Sequence, residues 1–282
     1  MATRTPAQKQ QRRRRILRRL GLGVLLLALG AAWLWQRTLP LERITVVGAE
    51  HAPEAEVVAL TQAEPDSVAL FSLSPALLAD RAQRHPWVES ASVRRLPTGT
   101  LRIAVSERRP TVLVLDGDGR PAHFLDARGY AMPVSGASPA LYDVPVLYGA
   151  PAYHPTQPVE SAGLRSLLAA LHRADPATLA LVSEIEWGPR VTVWTTPVEG
   201  HGSLAVRLGH DEHDRQLRSL RAFWDQAVLP SPDVRFASID LRFEGQVVTR
   251  EADRDAPSTP ADSAATPPAL GPAPTASPDA ST

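Results

Sequence analysis

The sequence predicts an α+β protein: a single N-terminal transmembrane helix, a small unit of order β-α-α-β-β, then a mixed β domain with flanking helices. Three observations carry this. A charge-free apolar run at residues 20–35 follows a crowd of arginines. Between residues 41 and 107, β-branched and alternating runs enclose two amphipathic segments. After Pro110, short strand patterns alternate with two longer helical ones until Arg250.

The chain has 282 residues, of which 44% are hydrophobic, enough for one large or two small domains once tails are set aside. The formal net charge is zero, yet Lys9, Arg12, Arg13, Arg14, Arg15, Arg18 and Arg19 crowd one end. A neutral chain with one basic end points to a membrane surface for that end, not to a nucleic-acid-binding body. There is no cysteine, which excludes disulfides, thiolate metal sites and a cysteine nucleophile.

Residues 20–35 read LGLGVLLLALGAAWLW. A spanning helix needs about 20 apolar residues, so Ile16, Leu17 and Leu39 extend the span, with Arg18, Arg19 and Arg37 snorkelling to the interfaces. Trp33 and Trp35 stand where an aromatic belt would. Positive charge precedes the helix, which puts residues 1–19 in the cytoplasm and the body outside. A cleaved signal peptide is the rival, with Ala28-Leu29-Gly30 as its cleavage site, but Trp33-Leu34-Trp35 makes a poor mature start. The expected organisation is a basic tail over 1–19, the membrane helix over 20–39, a first domain over 41–109, a β domain over 110–250 and a disordered tail over 251–282.

Residues 41–47 form a strand closed by Gly48. Residues 53–63 form a helix, with Glu54 and Glu56 suited to its first turn. Ser74-Pro75 caps and opens a second helix. Residues 87–95 are a strand, Pro97-Thr98-Gly99 turns the chain, and Leu101, Ile103 and Val105 alternate with Arg102, Ala104 and Ser106 on a half-buried strand. Trp87, Leu101, Ile103 and Val105 are therefore expected in the core. In the second domain residues 111–115 lead into a hairpin turn at Asp116-Gly117-Asp118-Gly119. A helix over 159–173 buries Leu164, Leu167, Leu168 and Leu171. Strands over 183–187 and 190–195 pair about Gly188-Pro189, and residues 204–208 add another. A helix over 211–228 buries Leu217, Leu220, Phe223, Trp224 and Val228. The last strand runs over 238–250 with a break near Glu244-Gly245. From Glu251 the chain is rich in Pro, Ala, Ser and Thr and has no aromatic residue, a composition that does not fold.

Few constellations carry chemistry. His210-Asp211-Glu212-His213 is the most metal-like cluster, but two histidines without a third ligand set read as a solvated helix start. Asp116-Gly117-Asp118-Gly119 lacks the closing acid of a calcium loop, since its twelfth position is Ala127. No Gly-x-Ser-x-Gly, phosphate loop or His-Glu-x-x-His occurs. Glu107-Arg108-Arg109 has no interleaved aromatics for nucleic acid. The sequence thus supports neither an enzyme nor a cofactor or metal site.

One stretch carries a family pattern. His85-Pro86-Trp87-Val88 opens it, Val93-Arg94-Arg95 follows on a strand, and Leu96-Pro97-Thr98-Gly99 turns into the alternating strand that ends in Glu107-Arg108-Arg109-Pro110. It resembles the second half of a POTRA domain of the FtsQ/DivIB type. Ile44-Thr45-Val46-Val47-Gly48 resembles that family's opening strand. Ile239-Asp240-Leu241-Arg242-Phe243-Glu244-Gly245 resembles its closing motif, with Phe243 where a tyrosine is usual. Gln246-Val247-Val248 after Gly245 matches no particular member. The likeness runs in order over residues 16–250.

The resemblance implies an inner-membrane bacterial division protein, a non-enzymatic scaffold of the septal wall-synthesis complex. It implies that the POTRA domain serves localisation and recruitment. It further implies that the last strand of the β domain binds FtsB, which travels with FtsL. The partner-binding residues it suggests are Leu241, Arg242, Phe243, Gly245, Gln246, Val247 and Val248, with Arg190 on a neighbouring strand. On one continuous strand Leu241 and Phe243 would face one way, Arg242 and Glu244 the other. Arg242 would then suit an acidic partner residue, and Phe243 an apolar anchor. The alternative is a POTRA-bearing component of an outer-membrane insertion or secretion system, although no barrel-length series of strands follows. A third is an anchored hydrolase or binding protein with a site built from scattered residues.

Overall fold

The computed structural model describes residues 6–134, 142–198, 202–231 and 233–251. The expected disordered tail lies outside the described residues, except that Glu251 belongs to the last strand.

Helix α1 spans Pro6–Thr38. It starts well before residue 20 because, apart from Ile16, residues 8–19 are Gln, Lys, Arg and Leu, all good helix formers. Its 33 residues rise about 50 Å, more than a hydrocarbon core of about 30 Å. Within it Leu17–Trp35 is the one segment among the described residues long and apolar enough to cross a membrane. None of that segment packs on protein. Arg37 lies 4.0 Å over the Trp33 ring, and the Thr38 hydroxyl donates to the carbonyls of Leu34 and Trp35.

No free linker follows. Leu39 N donates to Trp35 O, Leu70 N to Leu39 O, Leu41 N to Val68 O and Asp66 N to Leu41 O, at 2.7–3.1 Å. Leu41 is fully buried with Ala63, Leu70, Leu78 and Leu101.

The first unit contains β1 (Arg43–Val47), α2 (Glu54–Thr61), α3 (Pro75–Ala82), β2 (Val88–Leu96) and β3 (Thr100–Glu107). Ser74 caps α3 with Pro75 in its first turn, as the sequence predicts. The sheet order is β1-β3-β2, with β1 parallel to β3 and β2 antiparallel to it. Gly48 has φ +83°, and a Cβ there would meet Val105 O at 2.3 Å, so only glycine lets β1 end against β3. Trp87, Leu101, Ile103 and Val105 are all buried, and Arg102 and Ser106 on the alternate positions are exposed.

The second unit contains β4 (Pro110–Leu115), β5 (Pro121–Asp126), β6 (Ala131–Pro133), β7 (Val146–Tyr148), α4 (Ala162–Arg173), α5 (Pro176–Leu179), β8 (Val182–Glu186), β9 (Val191–Thr195), β10 (Ala205–Leu208), α6 (His213–Phe223), β11 (Phe236–Asp240) and β12 (Val248–Glu251). Among the described residues nine strands form one sheet, ordered β12-β11-β10-β9-β8-β7-β4-β5-β6. Leucines of α4 and α6 pack with Leu147, Ile185, Val193, Val206 and Ile239 on one face of it. The Asp116 carboxylate accepts from the amides of Asp118 and Arg120, which closes the β4–β5 hairpin.

Three expected helix boundaries shift for local reasons. The helix expected from 159 starts at Ala162 because Ser161 caps it, while buried Val159 bonds to Gly129 instead. The helix expected from 211 starts at His213 and becomes a π turn over Trp224–Val228. His213 is buried rather than solvated: its ring bonds Ser166 Oγ and Gly209 O at 3.1 Å, and burial lowers its pKa.

The two units share a core. Phe124 and Met132 of the second pack in one cluster with Val46, Trp87, Val88, Ile103 and Val105 of the first. Glu107 ends β3 beside this cluster. Its Oε1 accepts from the backbone amides of Glu50, His51 and Ala52, each at 2.8 Å. Its Oε2 accepts from His51 Nδ1 at 2.8 Å, which leaves His51 Nε2 to accept from the Tyr142 hydroxyl at 2.8 Å. Burial alone would raise the Glu107 carboxyl, but the Ala52 amide, the His51 ring and the other two amides outweigh it and hold it low. The next residue, Arg108, bonds the nearly buried Asp126 at 2.7 Å and lies 4.1 Å over the Tyr130 ring.

Glu107→Ala strips the acceptor from three amides and a ring. Urea unfolding of the full chain in micelles should show a loss of about 3 kcal/mol, against about 1 kcal/mol for Tyr142→Phe. Equal losses would mean that the carboxylate does not organise this join.

Candidate partner-binding edge

The sheet ends at β12, which pairs with β11 on one side and has no strand on the other among the described residues. Such an edge leaves alternate backbone N–H and C=O groups unpaired. All of Val248, Thr249, Arg250 and Glu251 are exposed.

The structure corrects the expectation of one broken strand over 238–250. β11 stops at Asp240, and the chain reverses into a hairpin whose second arm is β12. The cause is local. The Asp240 carboxylate accepts from Arg242 N at 3.1 Å and from Arg242 Nε and Nη2 at 2.6–3.1 Å. That folds the chain back on itself directly after β11. Gln246 N then bonds Phe243 O, and Gly245 takes φ +68° to complete the turn. Glu244-Gly245 is therefore the hairpin tip rather than a flaw in a strand.

The candidate residues separate accordingly. Leu241 is 1% exposed and belongs to the core, its amide still bonded to Arg207 O. Arg242 is committed to Asp240 and stands 5.7 Å over the Phe243 ring. Phe243, Gly245, Gln246 and Val247 form the exposed hairpin loop, and Val248 opens β12. Leu241 and Phe243 thus do not share a strand face. Arg190 is exposed in the turn before β9, one residue from Val191. Val191 faces Leu208 on β10, and Leu241 continues that ladder, so Arg190 and Arg242 lie at the same end of the sheet on different strands.

Thr249, Arg250 and Glu251 are the edge residues that sequence reasoning missed. The signal was present in a Gly-centred turn followed by Val247-Val248-Thr249, which is a hairpin signature. In the pairing with β11, Val248 stands opposite Asp240 and Arg250 opposite Ser238, so both share a face away from Ile239.

A family model described as POTRA domain, FtsQ-type, matches residues 39–108. The Cell division protein FtsQ of Rhodothermus marinus is 51% identical over 253 residues, 88% of this chain and 91% of that one. The chain belongs to the FtsQ family of cell division proteins. The FtsQ of Salinibacter ruber is 42% identical over 86% of this chain and 96% of its own. The major extracytoplasmic domain of DivIB from Geobacillus stearothermophilus aligns with 44% of this chain and 97% of its own, at 21% identity and a TM-score of 0.29; the family assignment rests on the two relatives instead. The family and the apolar part of α1 fit a single-pass membrane protein with a role in cell division. They displace the alternative of an outer-membrane insertion or secretion component.

Asp240 holds the start of the hairpin. Its hydrogen bond with the Arg242 side chain, against some burial, keeps its carboxyl below the ordinary carboxylate range. A depressed carboxyl stabilises the fold above its unfolded value of about 3.9 and loses that contribution as pH falls through the folded value. Acid titration followed by NMR should therefore show whichever of the Thr249 and Arg250 amides points at β11 losing its protection in step with Asp240 protonation. Asp240→Asn should abolish that pH step.

Proposed function

We propose that this protein is a non-catalytic scaffold of the division complex, anchored by α1 with its N-terminus in the cytoplasm, whose β12 edge receives a strand of FtsB and thereby links FtsL. The observation that carries this is the exposed β12 edge at the end of a nine-stranded sheet. A partner strand laid there would complete the ladder, its backbone supplying affinity and its side chains choice. Val248 and Arg250 on one face, with the Phe243–Val247 loop beside them, offer the partner both apolar and cationic contacts. Phe243, Val247 and Val248 are 51%, 36% and 46% exposed, which gives an incoming strand apolar surface to bury. Leu241 supports the edge from within, and Arg242 holds the hairpin rather than reaching outward. Arg190 shares that end of the sheet but precedes β9, with β10, β11 and β12 between it and the added strand, so it is set back from this contact. The orientation follows from the arginines ahead of residue 20.

Gln246 lies in the turn, so proline there would break the hairpin rather than test the edge. Successive β12 residues alternate in pointing their N–H toward β11 or outward. Of Thr249→Pro and Arg250→Pro, one should weaken the hairpin and the other should stay folded yet lose binding of an FtsB peptide by calorimetry. If the folded variant binds as tightly as wild type, strand addition at this edge is wrong. Topology is tested separately: a reporter active only outside the cytoplasm, fused beyond Glu251, should be active, and activity of a cytoplasm-only reporter there would reverse the orientation.

A further inference from the structure

The first unit's sheet has a second face, turned away from α2 and α3, that nothing in the fold explains. Arg94 on β2 stands directly opposite Arg102 on β3, and Arg102 stands opposite Thr45 on β1. Arg43, which faces Thr100, lies one step along on the same side. All three arginines are exposed, and none takes part in an ion pair among the described residues. Like charges directly opposite on neighbouring strands destabilise a sheet. Their spacing across strands is about 4.8 Å, well inside the Debye length of about 8 Å at physiological salt, so water does not fully screen them. The rest of that face carries Thr45, Ser90, Ser92 and Ala104, with Val47 and Leu96 half-buried at its margins. Among the described residues no acidic side chain forms an ion pair with this cationic face.

The fold also says where that face stands. Arg43 follows Thr38, the last residue of α1, by five positions, so at most about 18 Å of chain separates them. The intervening residues are held by backbone bonds to residues 66–70 and do not form a free tether. The unit is thus kept within reach of the bilayer that α1 crosses. Charge across it is asymmetric. The loop that leaves α2 carries exposed Glu64 and Asp66, and Glu42 lies against Gly99 at the end of the β2–β3 hairpin. The sheet face keeps an excess of positive charge beside Glu42, whereas the α2 loop is acidic.

We propose that this face is a docking surface for anionic phospholipid headgroups, and that Arg43, Arg94 and Arg102 tilt the first unit sheet-side down onto the membrane. Each basic residue brought to an anionic surface favours the bound state by roughly fivefold. The acidic loop is repelled by the same surface, which fixes the sense of the tilt. The inference needs α1 to span the bilayer and is independent of what binds β12.

The test uses the full chain in nanodiscs of phosphatidylcholine alone or with phosphatidylglycerol. Because the chain has no cysteine, a donor dye on Ser92→Cys is unique, and an acceptor is carried by the lipid headgroups. Phosphatidylglycerol should raise energy transfer from Ser92→Cys and lower it from a second site, Ala55→Cys, on the exposed side of α2. High salt should cancel both changes. Replacing Arg43, Arg94 and Arg102 with Gln should remove the gain while the melting temperature holds or rises, since a like-charge contact is relieved. Equal transfer in both membranes would overturn the proposal and leave the face to an acidic protein partner. A gain that persists in the triple variant would overturn it as well.

Discussion

The arrangement of this molecule hangs on the carboxylate of Glu107. It sits where β3 of the first sheet gives way to β4 of the second, and it gathers three consecutive amides from the loop after β1. Those amides would otherwise end β1 with unsatisfied donors beside a buried cluster, an expensive state in a low-dielectric surrounding. The same carboxylate sets the tautomer of His51, and His51 stacks on Trp87 with ring centroids 5.0 Å apart. Trp87 in turn meets Phe124 and Tyr142 of the second unit. One charged group thus satisfies a loop, orients a ring and completes an aromatic cluster across the join. Arg108 repeats the idea one residue later with Asp126, which also accepts from the amides of Arg128 and Tyr130. Two successive residues therefore fasten the units on both sides of the chain.

The first unit was legible in the sequence because its signals are local. The Ser74-Pro75 cap, the Gly48 and Gly99 stops and the alternation from Leu101 to Val105 each act within a few residues. Glu107-Arg108 was visible as a basic tripeptide and as the end of a family pattern, but its structural role was not, since its partners lie at residues 50–52 and 126, out of reach of any short pattern. The second unit shows the same limit. β4, β8, β9 and β10 could be placed singly, whereas β5, β6 and β7 could not, and neither could the order: β7 lies parallel between β4 and β8, and β10 lies parallel to β11. Such pairings depend on how helices pack across a sheet, which leucine spacing alone does not encode. α5, only four residues long, was missed because one Asp175 cap and one proline give no period to detect.

At the candidate edge the sequence misled for a definite reason. Ile239 through Phe243 alternates apolar and polar residues, which is the mark of a strand. The alternation is real up to Leu241, whose side chain enters the core. It fails at Arg242 because a neighbouring carboxylate competes for its backbone amide, a local bond that no alternation count weighs. The apolar character of Phe243 then belongs to a hairpin loop, and the edge moves to the four residues that follow it. The hydroxyl missing from Phe243 consequently concerns the loop and not the strand.

The distance between the edge and the join has a mechanical meaning. β12 and β4 are separated by six strand spacings in the sheet order, about 29 Å. Every one of those spacings is a hydrogen-bonded ladder, and the face behind them is filled by α4 and α6. A load applied at β12 in the strand direction is therefore borne as shear in each successive ladder, whose hydrogen bonds are loaded together. It arrives at β4, whose neighbour β5 carries Phe124 into the shared core, and passes through Glu107 and Arg108 into the first sheet. From there residues 39–41 deliver it to α1 through bonded rungs with no slack. A scaffold that must hold a partner at a fixed place relative to a membrane needs such an unbroken path. The weakest step on it is the β11–β12 hairpin, which rests on Asp240, Arg242 and a short ladder; a strand added beside β12, as proposed, would strengthen that step.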